Sequence, residues 1–164
     1  MTTERICIHS ERPDDYDAID GVLSRSFGDM DVPNLVRMLR QRQPEFDPSL
    51  SICASDGETI VGYAAFIPFN MRFMGSTVSA LAVAPVGVVP EYQGRGIAGT
   101  ILKRGHELAL QRGCQLACLN GHPEYYPRHG YRPCFGFAQT VIDHDKLPKP
   151  ALEIEAWPVR DQDL

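Results

Sequence analysis

Apolar residues recur at two different spacings along this chain, and the change from one to the other predicts its elements. Near the start, Arg5-Ile-Cys-Ile reads as a strand. Tyr16, Ile19, Val22, Leu23 and Phe27 then fall three and four residues apart, the stripe of a helix that Pro13 opens and Gly28 ends. A second helix is predicted after Asp31, with Pro33 in its first turn and Leu35, Met38 and Leu39 on its buried face. Beyond it the period falls to two: Leu50, Ile52 and Ala54 alternate with Ser51 and Cys53, as in a strand. Asp56-Gly57 is a hairpin turn signal, Thr59 to Ile67 the returning strand, and Phe69 to Met74 a further antiparallel strand.

Val86 to Val89 is a short β-rich run between Pro85 and Pro90; Pro85 and Gly87 so close together predict a bulged or splayed strand. Gly96 to Arg112 is the clearest helix, with Ile97, Ile101, Gly105 and Leu108 on one face and Gly113 ending it. Cys114 to Leu119 reads as a strand, Pro123 to His129 as a short helix and Phe135 to Ile142 as a late strand. The order β-α-α-β-β-β-α-β-α-β predicts an α/β (α+β) fold, a mixed sheet with helices on both faces. One domain is expected over 1–164, its core spanning about 5–142, with a tail over 143–164 that no pattern determines.

Bulk properties narrow the partners. A chain of 164 residues suits one core, and a net charge of −5 argues against a dedicated nucleic-acid binder. The first residues carry no apolar export signal. The most apolar stretch, Val78 to Pro90, is broken by Pro85 and too short to cross a bilayer. A cytoplasmic protein with no membrane partner is expected. Five cysteines, an odd number, argue against a disulfide framework. Cys114, Cys118 and His122 follow a four-residue rhythm, but no C-x-x-C or H-x-x-x-H spacing supports a metal, and the two cysteines sit in an apolar strand. No metal is expected.

The richest chemistry lies in Val-Gly-Val-Val-Pro-Glu-Tyr-Gln-Gly-Arg-Gly-Ile-Ala-Gly, residues 86–99, which joins a strand to the long helix. Glycines let backbone approach a ligand, and the first amides of a helix, at the positive end of its dipole, lack internal partners. Such a turn suits a diphosphate, with Arg95 adding a charged contact at the rim. Gly94, Gly96 and Gly99 also satisfy G-x-G-x-x-G. The turn nevertheless lies too late for a second mononucleotide half, follows a hairpin, and is succeeded by no acidic residue to hold a ribose.

Gln93-Gly-Arg-Gly96-Ile-Ala98 matches [RQ]-x-x-G-x-[GA], and Asn120 to Tyr131 matches N…Y-x-[KR]-x-G-[FY]. On these two motifs the chain resembles the GNAT superfamily of acyl-CoA N-acyltransferases, from about Arg5 to Ile142. The wording P-x-Y-Y-P-R-x-G resembles a subgroup of predicted acetyltransferases whose acceptors are mostly unassigned. The resemblance implies a mainly antiparallel sheet, splayed beside Val86 to Val89, and acetyl-CoA as acyl donor. It implies that the Val86 and Val88 backbone pairs with the pantetheine arm and that the Val88 amide faces the thioester oxygen. It further implies that Gln93, Gly94, Arg95, Gly96, Ile97, Ala98 and Gly99 cradle the diphosphate, and that Tyr126 stands near the sulfur.

For the base that takes the acceptor's proton, His122, Glu124 and a water held by Asn120 remain alternatives. Asp29 and Asp31 could meet a cationic acceptor, although Asp31 reads first as a helix cap. The expected activity is acetyl transfer to a primary amine of a small molecule or peptide. The alternative is a non-catalytic acyl-CoA-binding module. Late strands could also pair two copies in a homodimer.

Overall fold

A computed structural model describes residues 6–73 and 75–132. The late strand expected over 135–142, Cys134 and the tail lie outside the described residues. Five strands pair in the order β1 (Ile6–Ser10), β2 (Ser51–Asp56), β3 (Thr59–Phe73), β4 (Ser76–Val88) and β5 (Leu116–Cys118). The first four are antiparallel, while β5 runs parallel to β4. Helices α1 (Tyr16–Phe27) and α2 (Asp31–Arg42) precede β2, and α3 (Ile97–Gln111) links β4 to β5. No helix among the described residues is long and apolar enough to cross a membrane.

The run expected as two strands around Pro68 is the single strand β3. Pairing with β2 reaches only Ser51↔Ala65, so Pro68 sits past the partner whose carbonyl its missing N–H would have met. Likewise Pro85 lies inside a longer strand than expected. Ala64 pairs with Val86 and Phe66 with Val83, so Ala84 and Pro85 together oppose Ala65. This is a bulge, which tolerates proline and bends β4.

Two glycines let helices press on opposite faces of the sheet. A methyl group at Gly62 would lie 3.0 Å from Ile101 and 3.1 Å from Ile97 of α3. One at Gly87 would lie 3.1–3.3 Å from Ser26 and Leu23 of α1. Gly62 pairs with Val88 and Gly87 with Tyr63, neighbouring positions whose side chains alternate across the sheet. Further along α3, a methyl at Gly105 would fall 2.0 Å from the Phe66 ring. Leu102 and Ala109 complete that face, with Leu108 only half-buried.

The inward stripe of α2 differs from the expected one. Pro33 and Val36 are buried, whereas Met38 is exposed and Leu35 and Leu39 are half-buried. The cause is Arg40, which turns inward one further step along the same stripe. Its Nε and Nη2 donate to Glu11 at 3.2 and 2.9 Å, and its guanidinium lies 4.0 Å from the Tyr16 ring centre. The Glu11 side chain is wholly buried and also accepts from the Tyr63 hydroxyl at 3.1 Å. Burial alone would lower the Arg40 pKa, but the hydrogen bond and charge of Glu11 more than offset it, and the net shift is upward. Burial, reinforced by Glu11, likewise pushes the Tyr63 phenol far up.

Arg40→Leu strands a buried carboxylate and should cost about 3–5 kcal/mol in urea unfolding. Arg104→Leu, which removes the half-exposed pair with Glu107, should cost under about 1 kcal/mol. Equal losses would mean that burial does not set the value of the Glu11–Arg40 pair.

Candidate functional site

Among the described residues, pairing between β4 and β5 ends at Ala82↔Cys118. Past that point β4 continues to Val88, while the chain after β5 departs through Asn120 and His122 to a 3-10 turn at Tyr126–His129. The gap is a cleft of about 380 Å³. Its walls are Val83, Val86, Gly87 and Val88 of β4, Ser26 and Phe27 of α1, Gln93, and Asn120, His122 and Tyr126. Val86, Val88, Gln93, Asn120 and His122, all singled out in the sequence, thus meet Tyr126 in one place.

The direction of the β4 backbone follows from its register. Val89 donates to the Val61 carbonyl at 3.0 Å, so Val89 and Gly87 bond toward β3. Alternation then turns the amides and carbonyls of Val86 and Val88 away from β3, into the cleft. Gln93 Nε2 donates to the Val88 carbonyl at 2.9 Å. Gln93 therefore closes off an acceptor of β4, a role its place in the motif did not suggest.

Gly94 and Gly96 have φ of +74° and +79°, a conformation that side-chain-bearing residues rarely adopt. Together they swing the chain from β4 to the start of α3. The first i→i−4 bond of that helix is Thr100 N–H to the Gly96 carbonyl, 3.1 Å, so the amides of Ile97, Ala98 and Gly99 come before the ladder begins. Ile97 is buried and anchors the turn in the core. Arg95 lies 4.7 Å from the Tyr92 ring centre and donates to the Glu91 carbonyl at 2.8 Å, which holds it at the rim. Gly99 has a packing role: a methyl there would fall 2.8 Å from His129 Cε1.

Tyr126 is half-buried, edge-on to Tyr125 at 5.1 Å and to Tyr131 at 5.7 Å. Burial, then the neighbouring Tyr125, raises its pKa above the ordinary phenol value, so the hydroxyl keeps its proton. Gly121 lies directly under the ring, where a methyl would be 2.2 Å from Cε2. Neither periodicity nor motif pointed to Gly121, nor to the α1 wall of Ser26 and Phe27. Asn120 and His122 are exposed. His122 also borders a wider depression of about 500 Å³ with Pro123, Glu124, Tyr125 and Arg128, which puts Glu124 on the cleft's outer side.

One expectation is corrected. Asp31 is the first residue of α2 and Met30 its cap position; Asp29 Oδ1 accepts from the Asp31 amide at 3.0 Å just before the helix, and neither aspartate lines the cleft. Among the described residues, the ligand-type side chains that gather within 4.8 Å of one another are His9, Asp15 and Cys53. That trio lies by β1, at the opposite edge of the sheet, and its groups are engaged. His9 Nδ1 meets the Ser10 carbonyl at 3.0 Å, and Asp15 accepts from the Arg12 amide at 2.8 Å. Burial, with Asp15 and Glu11 adding to it, pushes the Cys53 thiol up to about 12. It reads as a satisfied structural cluster.

Comparison with known proteins agrees with this fold. The family model described as an acetyltransferase (GNAT) domain matches residues 8–134. The chain is 36% identical over 138 residues to the uncharacterized N-acetyltransferase YjhQ of Escherichia coli K12, covering 83% of this chain and 75% of that one. It is 30% identical over 125 residues to the uncharacterized N-acetyltransferase YhbS of the same strain, covering 76% and 72%. Among solved structures it resembles a GNAT family acetyltransferase from Brucella melitensis in complex with acetyl-CoA, with a TM-score of 0.70, 27% identity and 79% and 84% coverage. It also resembles YhbS from Escherichia coli in complex with CoA, with a TM-score of 0.71, 29% identity and 80% and 71% coverage.

Because Gly121 touches the Tyr126 ring, Gly121→Ala should displace that ring. The expected result is a loss of about 1–3 kcal/mol in urea unfolding, with a changed near-ultraviolet tyrosine signal. An unaltered signal would show that the ring is placed by other contacts.

Proposed function

Because the chain belongs to the GNAT acetyltransferases, we propose that it moves the acetyl group of acetyl-CoA to a primary amine of a small molecule or peptide. The observation that carries this reading is the open Val86–Val88 edge of β4 in the same cleft as the protonated Tyr126 hydroxyl. In this reading the pantetheine arm lies along that edge as an added strand. The diphosphate sits at the turn from Gln93 to Gly99, on the amides that precede the α3 ladder. The P-x-Y-Y-P-R-x-G wording over residues 123–130 supports a place in the subgroup that shares it.

The chemistry divides among few groups. The neutral amine attacks the thioester carbonyl carbon; a C–N bond forms and the C–S bond breaks. Charge gathering on the carbonyl oxygen is met by the Val88 amide, held on a rigid strand. The departing sulfur, with a thiol pKa near 8.5, shares or takes the proton of the Tyr126 hydroxyl, which regains it from solvent. The raised phenol pKa suits a donor, since the group stays protonated through the working range. The proton lost by the acceptor passes to His122, or to water beside Glu124 or Asn120.

Calorimetry should show acetyl-CoA and desulfo-CoA binding alike, and an amine panel should release free thiol. Binding without thiol release for any amine would leave only an acyl-CoA-binding module. Tyr126→Phe should lower turnover by on the order of tenfold to a hundredfold with acetyl-CoA affinity nearly unchanged. Gly96→Glu should abolish binding, because a side chain and a negative charge enter the phosphate turn.

The pH profile gives a further check. Tyr126 acts in its protonated form and its pKa is raised, so turnover should fall only above about pH 10. Tyr126→Phe should remove that alkaline limb. A limb that persists in the variant would belong to another group.

A further inference from the structure

Tyr126 is one member of a continuous run of rings that starts at Phe66 of β3, passes through His106 of α3 and returns to α3 at Gly99. Phe66 of β3 meets His106 edge-on at 6.0 Å, and His106 meets Tyr131 at 5.5 Å. Tyr131 meets Tyr126 at 5.7 Å, Tyr126 meets Tyr125 at 5.1 Å, and Tyr125 meets His129 at 4.9 Å. His129 closes the circuit against Gly99, in the first turn of α3. The one polar link among these rings is the 2.6 Å hydrogen bond between the Tyr131 hydroxyl and His106 Nε2. Burial, with His129 nearby, keeps the His106 pKa below its ordinary value, so the neutral ring can accept from the phenol.

We propose that Tyr131 and His106 form a positioning pair that fixes the Tyr126 ring relative to α3. The inference rests on the role given to Tyr126 above. Turn hydrogen bonds, including Tyr125 N–H to the His122 carbonyl at 3.0 Å and Tyr131 N–H to the Tyr126 carbonyl at 3.3 Å, set the backbone from Asn120 to Tyr131, and the aromatic contacts then set where the Tyr126 hydroxyl points. Edge-to-face rings specify angle as well as distance, and the hydrogen bond to His106 at the Tyr131 hydroxyl, which lies on the ring axis, fixes the direction of that axis. Because α3 also carries the turn assigned to the diphosphate, the pair ties proton donor and nucleotide site to one rigid body. A small misplacement of the hydroxyl then costs turnover while leaving donor binding intact.

The test is a double-mutant cycle on the full chain, read in kcat, in KM for acetyl-CoA and in CoA affinity by calorimetry. Tyr131→Phe and His106→Leu should each lower kcat about threefold to tenfold, with CoA affinity within about twofold of the starting protein. His106→Gln, which retains an acceptor, should recover most of the loss. Tyr131→Leu should slow the parent enzyme but leave Tyr126→Phe no slower.

An equal fractional loss from Tyr131→Leu in both backgrounds would overturn the proposal, because a folding defect or an independent role multiplies through both. Unchanged kcat in His106→Leu would overturn it too. If Tyr126→Phe is itself as fast as the parent, the fault lies with the role given to Tyr126, and the positioning claim falls with it.

Discussion

The structure depends above all on the parting of β4 from β5. A sheet is stable when each strand satisfies its neighbours, and here β4 loses β5 after three paired residues and continues with β3 on one side only. That separation leaves Val86 and Val88 turned toward a cleft rather than toward a sister strand. Every other element of the site is placed by it. The bulge at Ala84 and Pro85 bends β4, the glycine turn carries the chain over to α3, and the 3-10 turn returns Tyr126 to the far wall.

A gap in a sheet must be held open by something stiffer than the hydrogen bonds it gives up. On one face α1 rests on Gly87, so the floor of the cleft is packed from behind. On the other, α3 rests on Gly62 and, through its own Gly105, on the Phe66 ring, which fixes the helix whose first turn opens toward the cleft. The Glu11–Arg40 pair, with Tyr63 and Tyr16, locks α2 to the sheet on the α1 side. These contacts lie away from the cleft and limit its wall movements.

Much of this was legible in the sequence where period and turn chemistry agreed. The helical stripe of Ile19, Val22 and Leu23, the Asp56-Gly57 hairpin and the long helix after Gly96 each have one dominant physical cause. So does the bulge, since proline next to glycine in a β run has few other homes. The inward stripe of α2 was not legible, because a buried Arg40 rotates the helix and only its partner Glu11, 29 residues earlier, explains why. The site divided in the same way. Backbone positions announced by glycines were readable in order, whereas Gly99 and the Tyr131–His106 bond depend on side chains meeting across segments distant in sequence, and Gly121 on the turn that folds Tyr126 back against it.

The Gln93 side chain has a consequence for what this protein leaves alone. An unpaired strand edge with alternating donors and acceptors invites any extended polypeptide to zip onto it, which is the seed of aggregation. By occupying the Val88 carbonyl, Gln93 spoils that alternation at the end of the strand while sparing the amide. The edge is thus a poor template for another main chain. It still offers a donor to a visitor that brings its own carbonyl to the right spot, so one side chain separates hospitality from stickiness.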